Sequence, residues 1–203
     1  MPIYFKGISV YFQVKKMKYY IKNINDFSEE KLTKYLSLLD EEKLSQYNAT
    51  THKARKKVTL ISNGLAKEKI AEEYSIDVKD IVFSVHTNGK PFCKSHTNIH
   101  FSISHSGTFV AVAISDKEIG IDIELLKEPS EKIINRVCCE NEINVINSSE
   151  NKKEKFTEIW TEKEAYLKAL GTGIDRELKT VDTTKMDFVN EYSDEFILSV
   201  FSL

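Results

Sequence analysis

Residues 119–124, IGIDIE, alternate apolar and acidic side chains. In an extended chain this puts Ile119, Ile121 and Ile123 on one face and Asp122 and Glu124 on the other. The preceding run HFSISHSGTFVAVAIS reads as two strands over 99–114 around a turn at SHSG, 104–107. Nearer the N-terminus, residues 3–24 alternate as one or two strands. Ser28 then caps a helix running SEEKLTKYLSLLDEEKLSQY, with Leu32, Tyr35, Leu36, Leu39 and Leu44 at helical spacing. A second helix is predicted over 52–74, and NGKP at 88–91 marks a tight reversal. After IGIDIE, a polar stretch leads into a helix over 130–147; another spans 153–170 and ends at Gly171. The tail DTTKMDFVNEYSDEFILSVFSL reads as terminal strands.

Strands, two helices and strands thus follow one another in each half of the chain. The pattern predicts an α+β protein of two similar halves, residues 1–116 and 117–203, with a seam near Ser115–Glu118. A length of 203 residues suits one large domain or two small ones. The net charge of −2 argues against a nucleic-acid partner, and the abundant lysines alternate with acids, as in 151–170. Three cysteines, two of them adjacent, favour a reducing cytoplasm over a disulfide scaffold. No stretch approaches the length of a membrane span, and residues 1–20 hold no signal-peptide core.

Four constellations could carry chemistry. Asp122 and Glu124, two residues apart, lie roughly 6.6–7 Å from one another along a strand. They can converge on a hard cation such as Mg²⁺, although an exposed strand face explains the pattern equally well. Trp160, Glu164 and Lys168 form one i, i+4 row of a helix. As a surface pair, Glu164 and Lys168 would contribute only ~0.3–0.5 kcal/mol, but a row headed by the sole tryptophan starts at the core. His105, between Ser104 and Ser106, suits a phosphate, or else the serines satisfy their own turn. Cys93, His96 and His100 could bind zinc, yet their spacing is irregular and a fourth ligand is missing nearby.

In this order GKP (89–91), FSISHSG (101–107), IGIDIE (119–124) and WTEKEAYLKALGTGI (160–174) together resemble the 4′-phosphopantetheinyl transferases of the two-domain Sfp type. The resemblance spans about residues 88–174 and implies a monomeric pseudo-dimer, its halves related by a pseudo-twofold axis with the active site in the cleft between them. It implies transfer of the phosphopantetheine arm of coenzyme A to a serine of an apo acyl or peptidyl carrier protein, with Mg²⁺, releasing adenosine 3′,5′-bisphosphate. Asp122, Glu124 and Glu164 are then the metal ligands. Lys90, Ser104 and His105 contact the adenylate and phosphate end of coenzyme A. Lys163 and Lys168 match the helix lysines, with Lys168 the one that reaches the pyrophosphate. Arg55 and Lys43 stand for the basic contacts of the N-terminal half, although the glycine expected shortly after that arginine is absent. Glu164 is the first candidate for the base that deprotonates the serine, Glu142 the second. Lys127, Lys132 and Arg136 form a basic surface for an acidic carrier helix. Competing readings are a non-catalytic metal- or nucleotide-binding module of the same fold, and a zinc-dependent interaction domain built on Cys93, His96 and His100.

Overall fold

The computed structural model describes residues 17–173 and 178–203. The part of the predicted first strand region before Met17 lies outside these residues. From Met17 the chain forms β1 (Met17–Asn23), α1 (Glu29–Leu36), α2 (Glu41–Ala49), α3 (Lys53–Tyr74), β2 (Phe83–Val85), β3 (Pro91–Cys93), β4 (His100–Ser106), β5 (Phe109–Ser115) and β6 (Ile119–Leu125). There follow α4 (Glu131–Val137), α5 (Glu140–Ser148), α6 (Lys152–Leu170), β7 (Val189–Tyr192) and β8 (Phe196–Ser202). The class is α+β.

Two antiparallel sheets, β1-β5-β4 and β6-β8-β7, share one connectivity. In each, a hairpin supplies the central strand and one edge, and the earliest strand pairs antiparallel with that centre as the other edge. The β2-β3 hairpin stands apart from both sheets. Its reversal at 86–90 is the predicted one, with Gly89 at φ +85°, a backbone region that glycine enters without a Cβ penalty.

Three apolar clusters follow from the alternation. One packs α1 and α3 on β4 and β5, around Tyr35, Ile61, Leu65, Ile70, Phe101 and Val112. A second fills the space between the two sheets: Ile119, Ile121 and Ile123 meet Ala111, Ala113 and Leu198, all fully buried. The isoleucine face of IGIDIE is thus the floor of the junction between the two sheets. The third, smaller cluster joins α4, α5 and α6.

Two predicted helices are broken in two. The run from Ser28 stops at Ser37 and restarts after Asp40, because a residue far along the chain pins the intervening turn. Lys67 of α3, 4% exposed, donates from Nζ to the Leu38 carbonyl (2.7 Å) and to Asp40 Oδ1 (2.9 Å). The other Asp40 oxygen accepts the Phe83 N–H at 3.1 Å. A buried ammonium needs these oxygens, and a continuous helix would have committed the Leu38 carbonyl to its own ladder. The predicted 130–147 helix likewise breaks at Cys138–Cys139, where the Glu142 carboxylate accepts the Cys139 N–H at 2.8 Å and starts α5. The turn predicted at 104–107 falls slightly later, so that Ser104 and His105 belong to strand β4.

Candidate active site

The site is set by how closely α6 lies on β6. A Cβ on Gly120 would stand 1.9 Å from the Ala165 carbonyl oxygen and 2.5 Å from the Ala169 nitrogen, so only glycine permits this approach. At that distance the row Trp160, Glu164 and Lys168 of α6 faces the acidic side of β6. Lys168 Nζ pairs with Asp122 Oδ1 at 2.6 Å and donates to Ser104 Oγ at 2.9 Å. Ser104 Oγ in turn donates to Asp122 Oδ1 (2.7 Å), and Ser106 Oγ to Glu124 Oε2 (2.9 Å). The half-buried Trp160 side chain lies close enough to Glu124 to favour its charged form.

Two carboxylate oxygens here, Asp122 Oδ2 and Glu164 Oε1, are buried without a hydrogen-bond partner. Such atoms are costly unless something positive meets them. The pKa values report the same deficit. Glu164 is raised by burial and then by Asp122, with Lys168 opposing. Glu124 is raised by burial and then by Asp122, with Ser106 and Trp160 opposing. Three carboxylates, two of them with orphaned buried oxygens, are a donor set that fits a hard divalent cation.

Two grooves lie near these acids, of which Glu164 alone lines the first, while Glu124 lines a third groove with Lys127 and Trp160. One, of about 270 Å³, is lined by Asn88, Lys90, Glu164, Lys168 and Gly171. The other, of about 420 Å³, is lined by Lys43, Ser62, Asn63, Ser84 and His105. They share Gly89, Pro91 and Ile103 in their linings and so adjoin, together termed the trough. The β2-β3 hairpin closes onto the end of α6: Lys90 Nζ donates to Ala169 O (2.9 Å) and pairs with Glu118 (2.5 Å), and Asn88 donates to Gly171 O. His105 has its pKa lowered, first by desolvation and then by Lys168, with Arg55 acting in the same direction. Arg55 therefore stands within electrostatic reach of the trough, and Lys43 lines it.

Two expected site residues lie elsewhere. Lys163 and Glu142 have no side-chain exposure and pair with each other at 2.8 Å. Lys163 Nζ also donates to the carbonyls of Leu178 (2.8 Å) and Val181. Glu142 accepts Thr183 N–H (3.1 Å) and Thr183 Oγ1 (3.2 Å) besides capping α5. Lys163 thus ties the 178–183 segment to α6 and does not reach the trough, and Glu142 has no free oxygen with which to accept a proton. Both expectations are corrected on this placement. Their physical reason is the helical period: Lys163 is about 100° around α6 from Glu164, so neighbours in sequence point to different surroundings.

The zinc alternative loses its cluster. Cys93 is buried against Ser95, His96 bonds the Ser95 hydroxyl at 2.9 Å, and His100 pairs with Glu118 at 3.0 Å. Among the described residues the one group of three potential ligands with atoms within 4.8 Å is Cys139, Glu142 and Asp182. Its acids are already committed, Glu142 to Lys163 and Thr183, and Asp182 to Lys185, Asn141 and Thr184. The oxygens of Asp122, Glu124 and Glu164 do not all lie within 4.8 Å of one another, and Lys168 sits on Asp122 Oδ1.

Two family profiles match the chain in succession: the 4′-phosphopantetheinyl transferase N-terminal family over residues 26–117 and the 4′-phosphopantetheinyl transferase superfamily over 118–201. The chain belongs to the 4′-phosphopantetheinyl transferase superfamily. It is similar to the Bacillus subtilis 4′-phosphopantetheinyl transferases ffp (33% identical) and Sfp (32%), each match covering 72% of this chain and 66% of the relative. Similarity to the transferase gsp of Aneurinibacillus migulanus is 36% over 57% of this chain and 49% of that one. The chain thus spans just under two thirds of the length of the first two relatives.

Asn88 and Glu118 latch the hairpin to α6 and Lys90, a role the sequence pattern does not signal. Neither carries a local signal beyond Asn88 preceding Gly89. Ser106, grouped in sequence with His105 and Ser104 as a phosphate turn, instead donates to Glu124.

Proposed function

We propose that the chain transfers the 4′-phosphopantetheine arm of coenzyme A to a serine of an apo acyl or peptidyl carrier protein, in an Mg²⁺-dependent reaction. The single observation that carries this reading is the grouping of three carboxylates, two of them with orphaned buried oxygens, and one lysine beside the trough. Asp122, Glu124 and Glu164 would hold the cation, which when bound supplies charge neutralisation at the pyrophosphate. Lys168 adds a compact positive charge beside it. Lys90 and His105, with Lys43 and Arg55 beyond, bind the phosphates and adenylate along the trough; Ser104, expected among these contacts, instead has its buried hydroxyl spent on Asp122, Lys168 and the Ile123 N–H. The N-terminal half, 1–116, supplies these contacts, and 117–203 the acids and the catalytic helix, across a cleft between pseudo-twofold halves.

The serine oxygen attacks the β-phosphorus, a new P–O bond forms, and the bond to the adenosine 3′,5′-bisphosphate leaving group breaks. The serine proton passes to Glu164, a carboxylate with a buried oxygen that has no hydrogen-bond partner. Lys168 meets the charge that develops on the leaving group. Exposed Lys127, Lys132 and Arg136 offer the carrier's acidic helix a basic face. Three free cysteines suit a reducing cytoplasm, and no described helix is long and apolar enough to cross a membrane.

The test is direct. Purified protein, coenzyme A, Mg²⁺ and an apo carrier should yield a carrier heavier by one phosphopantetheinyl group in an intact-mass spectrum. No adduct on fatty-acid, polyketide and peptide carriers alike would remove the activity from this chain.

A further inference from the structure

Strands β4 and β6 lie side by side at the junction of the halves, yet they are not a backbone-paired ladder. Three serines of β4, spaced two apart, stand where backbone carbonyls would be. Ser102 Oγ accepts the Ile121 N–H (3.2 Å), Ser104 Oγ the Ile123 N–H (3.4 Å) and Ser106 Oγ the Leu125 N–H (3.2 Å). All three serines are buried, at 5%, 6% and 8% exposure. A hydroxyl has one proton and two lone pairs. Ser104 spends both lone pairs, on Ile123 and Lys168, so its proton has one destination, Asp122 Oδ1. Ser106 accepts from Leu125 and gives its proton to Glu124 Oε2. Ser102 accepts in the same way, but Gly120 leaves no acid on its rung.

We propose that Ser106, with Ser104, is a positioning residue for the divalent cation: the ladder fixes one oxygen of each strand acid and thereby presents the other to the metal. The inference rests on the reading of Asp122, Glu124 and Glu164 as the cation's ligands. The orphaned Asp122 Oδ2 is the consequence expected of such a device, since its partner oxygen takes both Ser104 and Lys168. The ladder also ties metal binding to the joint between the halves, because each proton-donating serine is on one half and each acid on the other.

The three rungs supply their own control. Ser102→Ala and Ser106→Ala each remove one N–H acceptor at the same joint, but only Ser106→Ala strips a carboxylate of its donor. Mn²⁺ would be titrated into the full-length protein with coenzyme A present and no carrier, and free Mn²⁺ read by electron paramagnetic resonance. Thermal melts run in parallel report the shared structural cost. The expected result is Mn²⁺ binding weakened about 10-fold or more by Ser106→Ala, near the wild-type value in Ser102→Ala, and restored towards it by Ser106→Thr. Similar small drops in melting temperature should accompany both alanine variants. Wild-type affinity in Ser106→Ala, or equal weakening in Ser102→Ala, overturns the ladder's role while leaving the metal site standing. Absence of Mn²⁺ binding in the wild-type protein removes both the site and the ladder's part in it.

Discussion

Lys163→Met is the substitution that best separates a structural lysine from a catalytic one. Lys163 and Glu142 are 2.8 Å apart with no side-chain exposure, and the same ammonium serves the carbonyls of Leu178 and Val181. Methionine matches the length and apolar stem of lysine and removes only the charge and the donors. The Glu142 carboxylate then stays buried with neutral donors alone, from Cys139 and Thr183. Breaking a buried ion pair from one side costs about 3–5 kcal/mol. For a chain of this size each kcal/mol lowers the melting temperature by about 2–4 °C, so the drop should be about 6–20 °C. Adding Glu142→Gln to Lys163→Met keeps the acceptor oxygen, removes the stranded charge and should recover part of the loss. The assay is thermal unfolding by circular dichroism, with transfer rates measured per folded protein well below the variant's midpoint. Those rates should stay within a few-fold of wild type. A variant that melts with the wild type yet has lost transfer would refute the reasoning and return Lys163 to the site.

Other outcomes follow from the same geometry. Gly120→Ala should fail to fold stably, because a Cβ 1.9 Å from the Ala165 carbonyl forces α6 off β6 at a cost above the ~1–3 kcal/mol of ordinary overpacking; a wild-type melting temperature would contradict this. Asp122→Asn should abolish transfer with the circular dichroism spectrum unchanged, and normal turnover would sink the ligand assignment. In metal-free protein, Glu124 and Glu164 have folded pKa values above their unfolded ones, so the folded state binds the extra protons between those values. Stability should therefore fall as pH rises from about 4.5 through the raised pKa values, and added Mg²⁺ should stabilise more at pH 8 than at pH 5; melts with and without Mg²⁺ check the sign.

What the chain showed in advance was whatever depended on local periodicity. The two faces of IGIDIE, the row of Trp160, Glu164 and Lys168, and the reversal before Pro91 are all patterns of two to four residues, and the fold places them as read. Features set by a distant partner were not legible. The run from Ser28 looks like one amphipathic helix, and only Lys67, some thirty positions later, needs the oxygens that break it. Lys163 looks like a neighbour of Glu164, but whether it faces the trough or Glu142 depends on where α5 packs. The serines of FSISHSG carried their period-two spacing in plain view. Its meaning required knowing that β6, and not another strand of the same sheet, lies alongside.

The most direct test follows the two ends of coenzyme A separately. Coenzyme A labelled in both its pantetheine arm and its adenine ring would be incubated with the protein, Mg²⁺ and an apo carrier, then repeated with Asp122→Asn. The account predicts the pantetheine label on the carrier serine, one adenine-labelled adenosine 3′,5′-bisphosphate released per carrier modified, and neither product with the variant. Adenine label on the carrier, carrier modification without bisphosphate release, or undiminished transfer by Asp122→Asn would contradict it.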